Sequence, residues 1–261
     1  MLVICFLVFL LGTSTNANEE VSGLKIIGGN SSTILRHSYQ VSISYNGTFM
    51  GSGAIISNLW VLTTASLLAG YRDLKMVKIR GKSDHVDGEG VTYRIHKIIS
   101  HPRFSFSTMD YDVALLGVNK RIRFTRGLKK ARLANGAPEK GVVSGWGSNS
   151  RSSYVYNQIK QINVTIVNGT ACQQIYNDTR LLTNRMFCAV SDEYGPCWSD
   201  NGDPLVLNGT LYGLLSWNKG CFDQQFPSVF TKVSAVKRWV QMTVKEHGKP
   251  SRMFWQKRKA L

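Results

Sequence analysis

From Tyr39 onward apolar and polar residues alternate in short runs, the period-two pattern of strands that bury one face. Gln40-Val41-Ser42-Ile43-Ser44 predicts one strand, and Gly53-Ala54-Ile55-Ile56-Ser57 and Trp60-Val61-Leu62-Thr63 predict two more. Asn46-Gly47 follows the first of these and predicts a tight hairpin, because both residues tolerate the positive φ that such turns need. Short strands at this spacing, with turn residues between them, predict a sandwich or a barrel. Helical spacing is convincing in one place, near the end, where Val233, Val236, Val240 and Val244 recur. No solenoid-length repeat and no linker-like change of composition divides the chain before its tail.

Residues 1–11 form an apolar run followed by small and polar residues, with Thr15-Asn16-Ala17 as a cleavage site. This reads as a secretory signal peptide over residues 1–17, although a positive side chain at its front is missing. The run is too short for a transmembrane anchor, and no later segment reaches membrane-spanning length without charge. The 261 residues, 43% of them hydrophobic, suffice for one packed all-β unit. Cys5 leaves with the signal, so Cys172, Cys188, Cys197 and Cys221 remain. An even set in an exported chain predicts disulfides, and sequence alone allows three pairings. No Cys-x-x-Cys pair occurs and no histidine lies near these cysteines, which argues against a metal site. Asn30, Asn46, Asn163, Asn168, Asn177 and Asn208 each begin a glycosylation sequon, a further sign of secretion.

Four segments bear on chemistry. Trp60-Val61-Leu62-Thr63-Thr64-Ala65-Ser66-Leu67 comes first, then Asp110-Tyr111-Asp112-Val113-Ala114-Leu115-Leu116. Val143-Ser144-Gly145-Trp146-Gly147 and Cys197-Trp198-Ser199-Asp200-Asn201-Gly202-Asp203-Pro204 follow. In order and spacing they closely resemble the trypsin- and chymotrypsin-like serine peptidases, from Ile26 to about Val244. The resemblance implies an all-β fold of two six-stranded antiparallel barrels with a C-terminal helix, in one domain over residues 26–245. It implies disulfides joining Cys172 to Cys188 and Cys197 to Cys221. Lys25-Ile26-Ile27-Gly28-Gly29 resembles the family's activation site. Residues 18–25 are then a short propeptide, and Asp200 is the expected partner of a new amino terminus at Ile26.

The departures from the family pattern fall on the reacting groups. In active members a histidine takes the proton of an attacking serine, and a buried aspartate orients the histidine. Here Ser66 stands in the histidine slot, Asp112 in the aspartate slot and Asn201 in the serine slot. A hydroxyl has no usable basicity near neutral pH. An amide nitrogen is no nucleophile, because its lone pair is delocalised into the carbonyl. Ser199 replaces the glycine of the oxyanion hole, and Asp203 replaces the second glycine after the nucleophile. Leu67 replaces the cysteine beside the histidine, and that cysteine's partner, expected near Met50-Gly51, is missing too. Ser216-Trp217-Asn218 resembles the strand that pairs with substrate backbone, with Asn218 in place of its glycine. Gly195 stands where trypsin-like members bind Lys or Arg with an aspartate, and Ser228 replaces a glycine of the pocket wall. His37, His85, His96, His101 and His247 lie outside the catalytic-loop match and are expected at the surface without a role.

The resemblance thus implies a non-catalytic secreted homologue that binds or regulates a peptidase, its substrate or another extracellular partner. Such homologues resemble adaptors and decoys in insect-like extracellular proteolytic cascades. A residually active trypsin-like endopeptidase is the competing expectation, and a polyanion-binding extracellular protein is a third. The net charge of +16 bears on the last. Lys120, Arg121, Arg123, Arg126, Lys129, Lys130 and Arg132 form one acid-free basic stretch. Lys249, Arg252, Lys257, Arg258 and Lys259 form another in the tail over residues 246–261, interleaved with Met253, Phe254 and Trp255. Glycosaminoglycans or anionic cell surfaces suit these stretches in a secreted chain, and nucleic acid does not. No cofactor is expected. Asp84, Asp87 and Glu89 lie in the loop where some relatives bind calcium, but three acids in a turn are more often solvated than liganding, and such a site needs six or more oxygens, so no metal is expected.

Overall fold

The computed structural model describes residues 29–71, 73–147, 158–177, 179–191, 200–219 and 225–248. The first half runs β1 (Asn30–Ser31), β2 (Gln40–Tyr45), β3 (Thr48–Ile55), β4 (Trp60–Thr63), the single-turn α1 (Ala65–Leu68), β5 (Val77–Gly81), β6 (Val91–Ser100) and β7 (Ala114–Val118). Strands β2-β3-β4-β7-β6-β5 close into an antiparallel barrel. The second half contains β8 (Arg132–Leu133), β9 (Lys140–Gly145), β10 (Lys160–Val167), α2 (Gly169–Ile175), β11 (Met186–Val190), β12 (Pro204–Leu207), β13 (Thr210–Trp217), β14 (Ser228–Lys232) and α3 (Val233–His247). Strands β9-β10-β11-β14-β13-β12 return to β9 and close a second six-stranded barrel, with β1 added at β10 and β8 beside β13. The all-β double barrel with a C-terminal helix is therefore present.

Local sequence explains most elements. Val41 and Ile43 of β2 are fully buried, as alternation predicts, but Gln40 and Ser42 are buried as well. Gln40 satisfies itself by donating to the Ser144 carbonyl at 2.5 Å and accepting from the Ser144 hydroxyl. Asn46 and Gly47 take φ of 49° and 86°, the left-handed pair that lets β2 turn directly into β3. Strand β3 starts at Thr48 and ends at Ile55, so it begins before the expected Gly53 and leaves Ile56 and Ser57 outside. Helix α3 buries Val233, Val236 and Val240, the expected stripe, with Val244 at its margin.

One hydrophobic cluster fills the first barrel around Ile43, Ile79 and Leu116, and another fills the second around Val143, Leu205 and Phe230. A third lies between the barrels. There Trp60, Leu62 and Leu115 from the first barrel pack with Leu211 and Leu214 of β13 and the buried stripe of α3. Helix α2 had no helical apolar stripe to announce it, and buries Cys172 alone. It is held instead by its ends: Asn168 Oδ1 accepts from the Thr170 N–H at 2.9 Å, and Cys172 is disulfide-bonded to Cys188 of β11.

Candidate functional site

Asp112 sits two residues before β7, at the seam of the two barrels, with no exposed surface. Its Oδ1 accepts from the Ser66 N–H at 2.7 Å. Its Oδ2 accepts from the Ser66 hydroxyl at 2.7 Å and from the Ser216 hydroxyl at 2.6 Å. Thr231 Oγ1 of β14 donates to the Asp112 carbonyl at 2.7 Å. Donors from both barrels thus converge on one residue. Burial raises the Asp112 pKa, and the hydrogen bonds from Ser216 and Ser66 oppose that rise by favouring the charged form. Ser66 lies in α1 beside Leu67, so its hydroxyl directs its proton at a carboxylate and offers no imidazole-like base.

Asn201 is pinned through its backbone. Its carbonyl accepts from the Ser52 N–H at 3.0 Å, and the next N–H, of Gly202, donates to the Leu215 carbonyl at 2.8 Å. Gly202 has φ of 83°, and a Cβ there would collide with the Ser52 carbonyl, so only glycine fits. The Asn201 carbonyl and the Leu67 side chain both crowd Gly51, which places the nucleophile-slot loop beside the histidine-slot turn. Leu67 is buried at this point, and Met50 is half-buried against the same cluster.

Two aspartates lie under this loop. Asp200 is buried with its carboxylate against Gly147, and Asp203 is fully buried with its carboxylate against Gly145. A Cβ on either glycine would strike the acid, which gives the Ser-Gly-Trp-Gly segment a steric reason here. Ser52 lies near enough to ease the Asp203 charge, yet neither Asp203 oxygen nor the Ser52 hydroxyl completes a hydrogen bond. Burial, and then repulsion from Asp200, holds the Asp203 carboxyl far above the usual carboxylate range. Sequence reading named Asp203 as a lost glycine and missed that it is a buried acid.

An aromatic group borders the end of β13 in the second barrel. Trp217 meets Tyr176 edge-on at 4.9 Å, and the Arg180 guanidinium lies 5.1 Å above the Trp217 ring. Tyr176 is fixed by donating its hydroxyl proton to the Pro227 carbonyl at 2.6 Å. Ser228 is buried at the start of β14, and Asn218 is half-buried just after β13. Gly195, Ser199, Cys197, Cys221, Lys25 and Ile26 lie outside the described residues, as do Arg252, Met253, Phe254, Trp255, Lys249 and Lys257 to Lys259.

The remaining candidates separate clearly. The expectation of surface histidines fails at two positions. His37 is buried, with Nε2 2.9 Å from both Ser32 Oγ and Gln161 Oε1, and burial lowers its pKa. His101 is also buried and stacks on Tyr111 at 4.3 Å. His85 and His96 are exposed and His247 is half-buried. Asp84 serves as a loop anchor: Oδ1 accepts from the Ile34 N–H at 2.5 Å, and its carbonyl accepts from the Trp146 indole at 2.9 Å. All six sequon asparagines are exposed. The seven cations of the 120–132 stretch are exposed too. Among the described residues no helix is long and apolar enough to cross a membrane.

Two closed barrels meeting at a buried, serine-bonded aspartate define the double-barrel peptidase architecture. The family model described as Trypsin matches residues 26–240, and the chain belongs to the trypsin family. It is 32% identical over 237 residues to a trypsin of Phaedon cochleariae, covering 87% of this chain and 91% of that one. A vitellin-degrading protease of Bombyx mori is 29% identical over 250 residues, covering 93% and 94%. Trypsin delta of Drosophila melanogaster is 31% identical over 221 residues, covering 83% and 87%. Among solved structures, mouse neuropsin, a serine protease, superposes with a TM-score of 0.76 at 24% identity, over 83% of this chain and 99% of its own.

Proposed function

We propose that this chain is a secreted trypsin-family homologue that has kept the peptidase frame and lost its chemistry, and that it acts by binding. The observation that carries the reading is the Ser66 hydroxyl donating to Asp112, a contact that fills the orienting carboxylate with a group unable to take a proton. Asn201 in the nucleophile slot removes the attacking atom as well. Surfaces then do the work, with a peptidase, its substrate or another extracellular protein as partner. The Cys172 to Cys188 disulfide and the exposed sequon asparagines support export and glycosylation. Cleavage at Lys25, with Ile26 docking beside the buried Asp200, is retained in this reading as a conformational switch.

The names of the relatives favour a second reading, a working endopeptidase. The two separate in one assay. Purified protein cut after Lys25 should neither turn over Lys-, Arg- or aromatic-site peptides nor react with a fluorophosphonate. Labelling that disappears in a Ser66→Ala variant would establish the second reading instead.

A further inference from the structure

We propose that the basic surface formed by the 120–132 loop, which runs from the first barrel to β8 beside the second, together with Lys78, Lys82 and Arg94, binds a sulfated linear polysaccharide. The proposal holds whether or not the cleft is catalytic.

The loop presents its cations on a fixed backbone. Ile122, Leu128 and Ala131 are buried between them. The N–H groups of Ile122, Lys129 and Ala131 donate to the carbonyls of Asn58, Ser38 and Ile55, each at 2.8 Å. Little backbone ordering therefore remains to be lost when a ligand binds, and the cost that is left lies in the side chains. Three cations distant in sequence join the loop. The Lys82 stem packs on Gly127, where an added Cβ would lie 3.0 Å from Lys82 Cγ. The Asn119 N–H donates to the Arg94 carbonyl at 3.0 Å, and Lys78 lies directly opposite Arg94 in the β5–β6 ladder. All three are exposed.

Like charges facing each other across a ladder are unfavourable, and so is a dense unopposed cluster. Arg185 is bridged to Asp110 at 2.5 Å. Among the described residues no patch cation is bridged to a carboxylate, although Arg132 donates to the Asn208 carbonyl at 2.6 Å, and the cluster is left open to an external anion. Four of the seven loop cations are arginines, whose planar forks match sulfate and carboxylate oxygens. A membrane is disfavoured because Phe124 is the one large apolar side chain that the loop exposes. Single-stranded nucleic acid is disfavoured for the same reason, since stacking platforms need several aromatic rings, and duplex DNA is an outcome of the test below.

The test is binding of the full-length protein to heparin as a function of salt. Retention above physiological salt is expected. Replacing Arg121, Arg123 and Arg126 by Gln should lower the slope of log affinity against log salt by about two to three. Replacing Lys78 and Arg94 by Gln should weaken binding as well, although the loop is untouched. A control with Lys140, Lys219 and Lys245 changed to Gln removes the same charge as the loop variant and should bind almost as tightly as wild type. Equal loss in the control and the loop variant would overturn the proposal, as would retention that vanishes on deleting residues 249–261 alone. Tighter binding to phosphatidylserine vesicles or duplex DNA than to heparin would overturn it too.

Discussion

Asp112 is stable in the seam because Ser66 and Ser216 supply hydroxyls and Ser66 supplies an N–H. Removing the acceptor leaves those donors buried and unpaired. Asp112→Ala should therefore cost about 1–3 kcal/mol, measured by urea denaturation. Asp203 makes the opposite case, since its carboxylate is buried without a completed hydrogen bond. Its pKa is raised in the folded state, so the native protein holds a proton that the unfolded chain releases above about pH 4. Stability is then greatest below the unfolded pKa and falls as pH rises towards the folded one. Asp203→Ala should melt higher than wild type at pH 7.5, and the difference should disappear near pH 3.5. A variant that melts lower at both pH values would mean that the side chain is needed for packing. Ser66, Asp112 and Asn201 stood out in the sequence because each lies in a motif of fixed local context. The burial of Asp203 was not, because nothing in a Gly-to-Asp change says whether the new side chain points outward or against Gly145.

At the scale of elements, strand β4 matched its expected span because four buried residues lie between clear turns. Strand β3 did not, since Gly51-Ser52-Gly53 breaks the alternation while the backbone pairing continues. Helix α2 lacks an apolar stripe and depends on its cap and disulfide. Asn168→Ala should cost about 1 kcal/mol. Asn168→Asp should keep the cap and abolish the sequon, so a mobility shift without a stability loss would separate glycan from cap. Replacing Cys172 and Cys188 together by alanine should cost about 2–4 kcal/mol, read from the same denaturation curves.

Across the whole molecule, the cluster between the barrels joins Leu62 and Leu115 to Leu214 and α3, and Asp112 takes donors from both sides. Such a seam should make the two barrels unfold together in one transition. Ser66 and Asp112 also tie the seam together through their own hydrogen bonds. The order of motifs made this architecture readable in the sequence. The basic patch was readable only in part, since Lys78 and Arg94 meet the 120–132 loop through strand pairing. The most direct measurement is peptide hydrolysis by three forms cut after Lys25: wild type, Ser66→His with Asn201→Ser, and that pair with Ser199→Gly and Asp203→Gly added. The account predicts no turnover by wild type, little by the double variant and measurable turnover by the fourfold variant. Turnover by wild type that is lost in Ser66→Ala would contradict it.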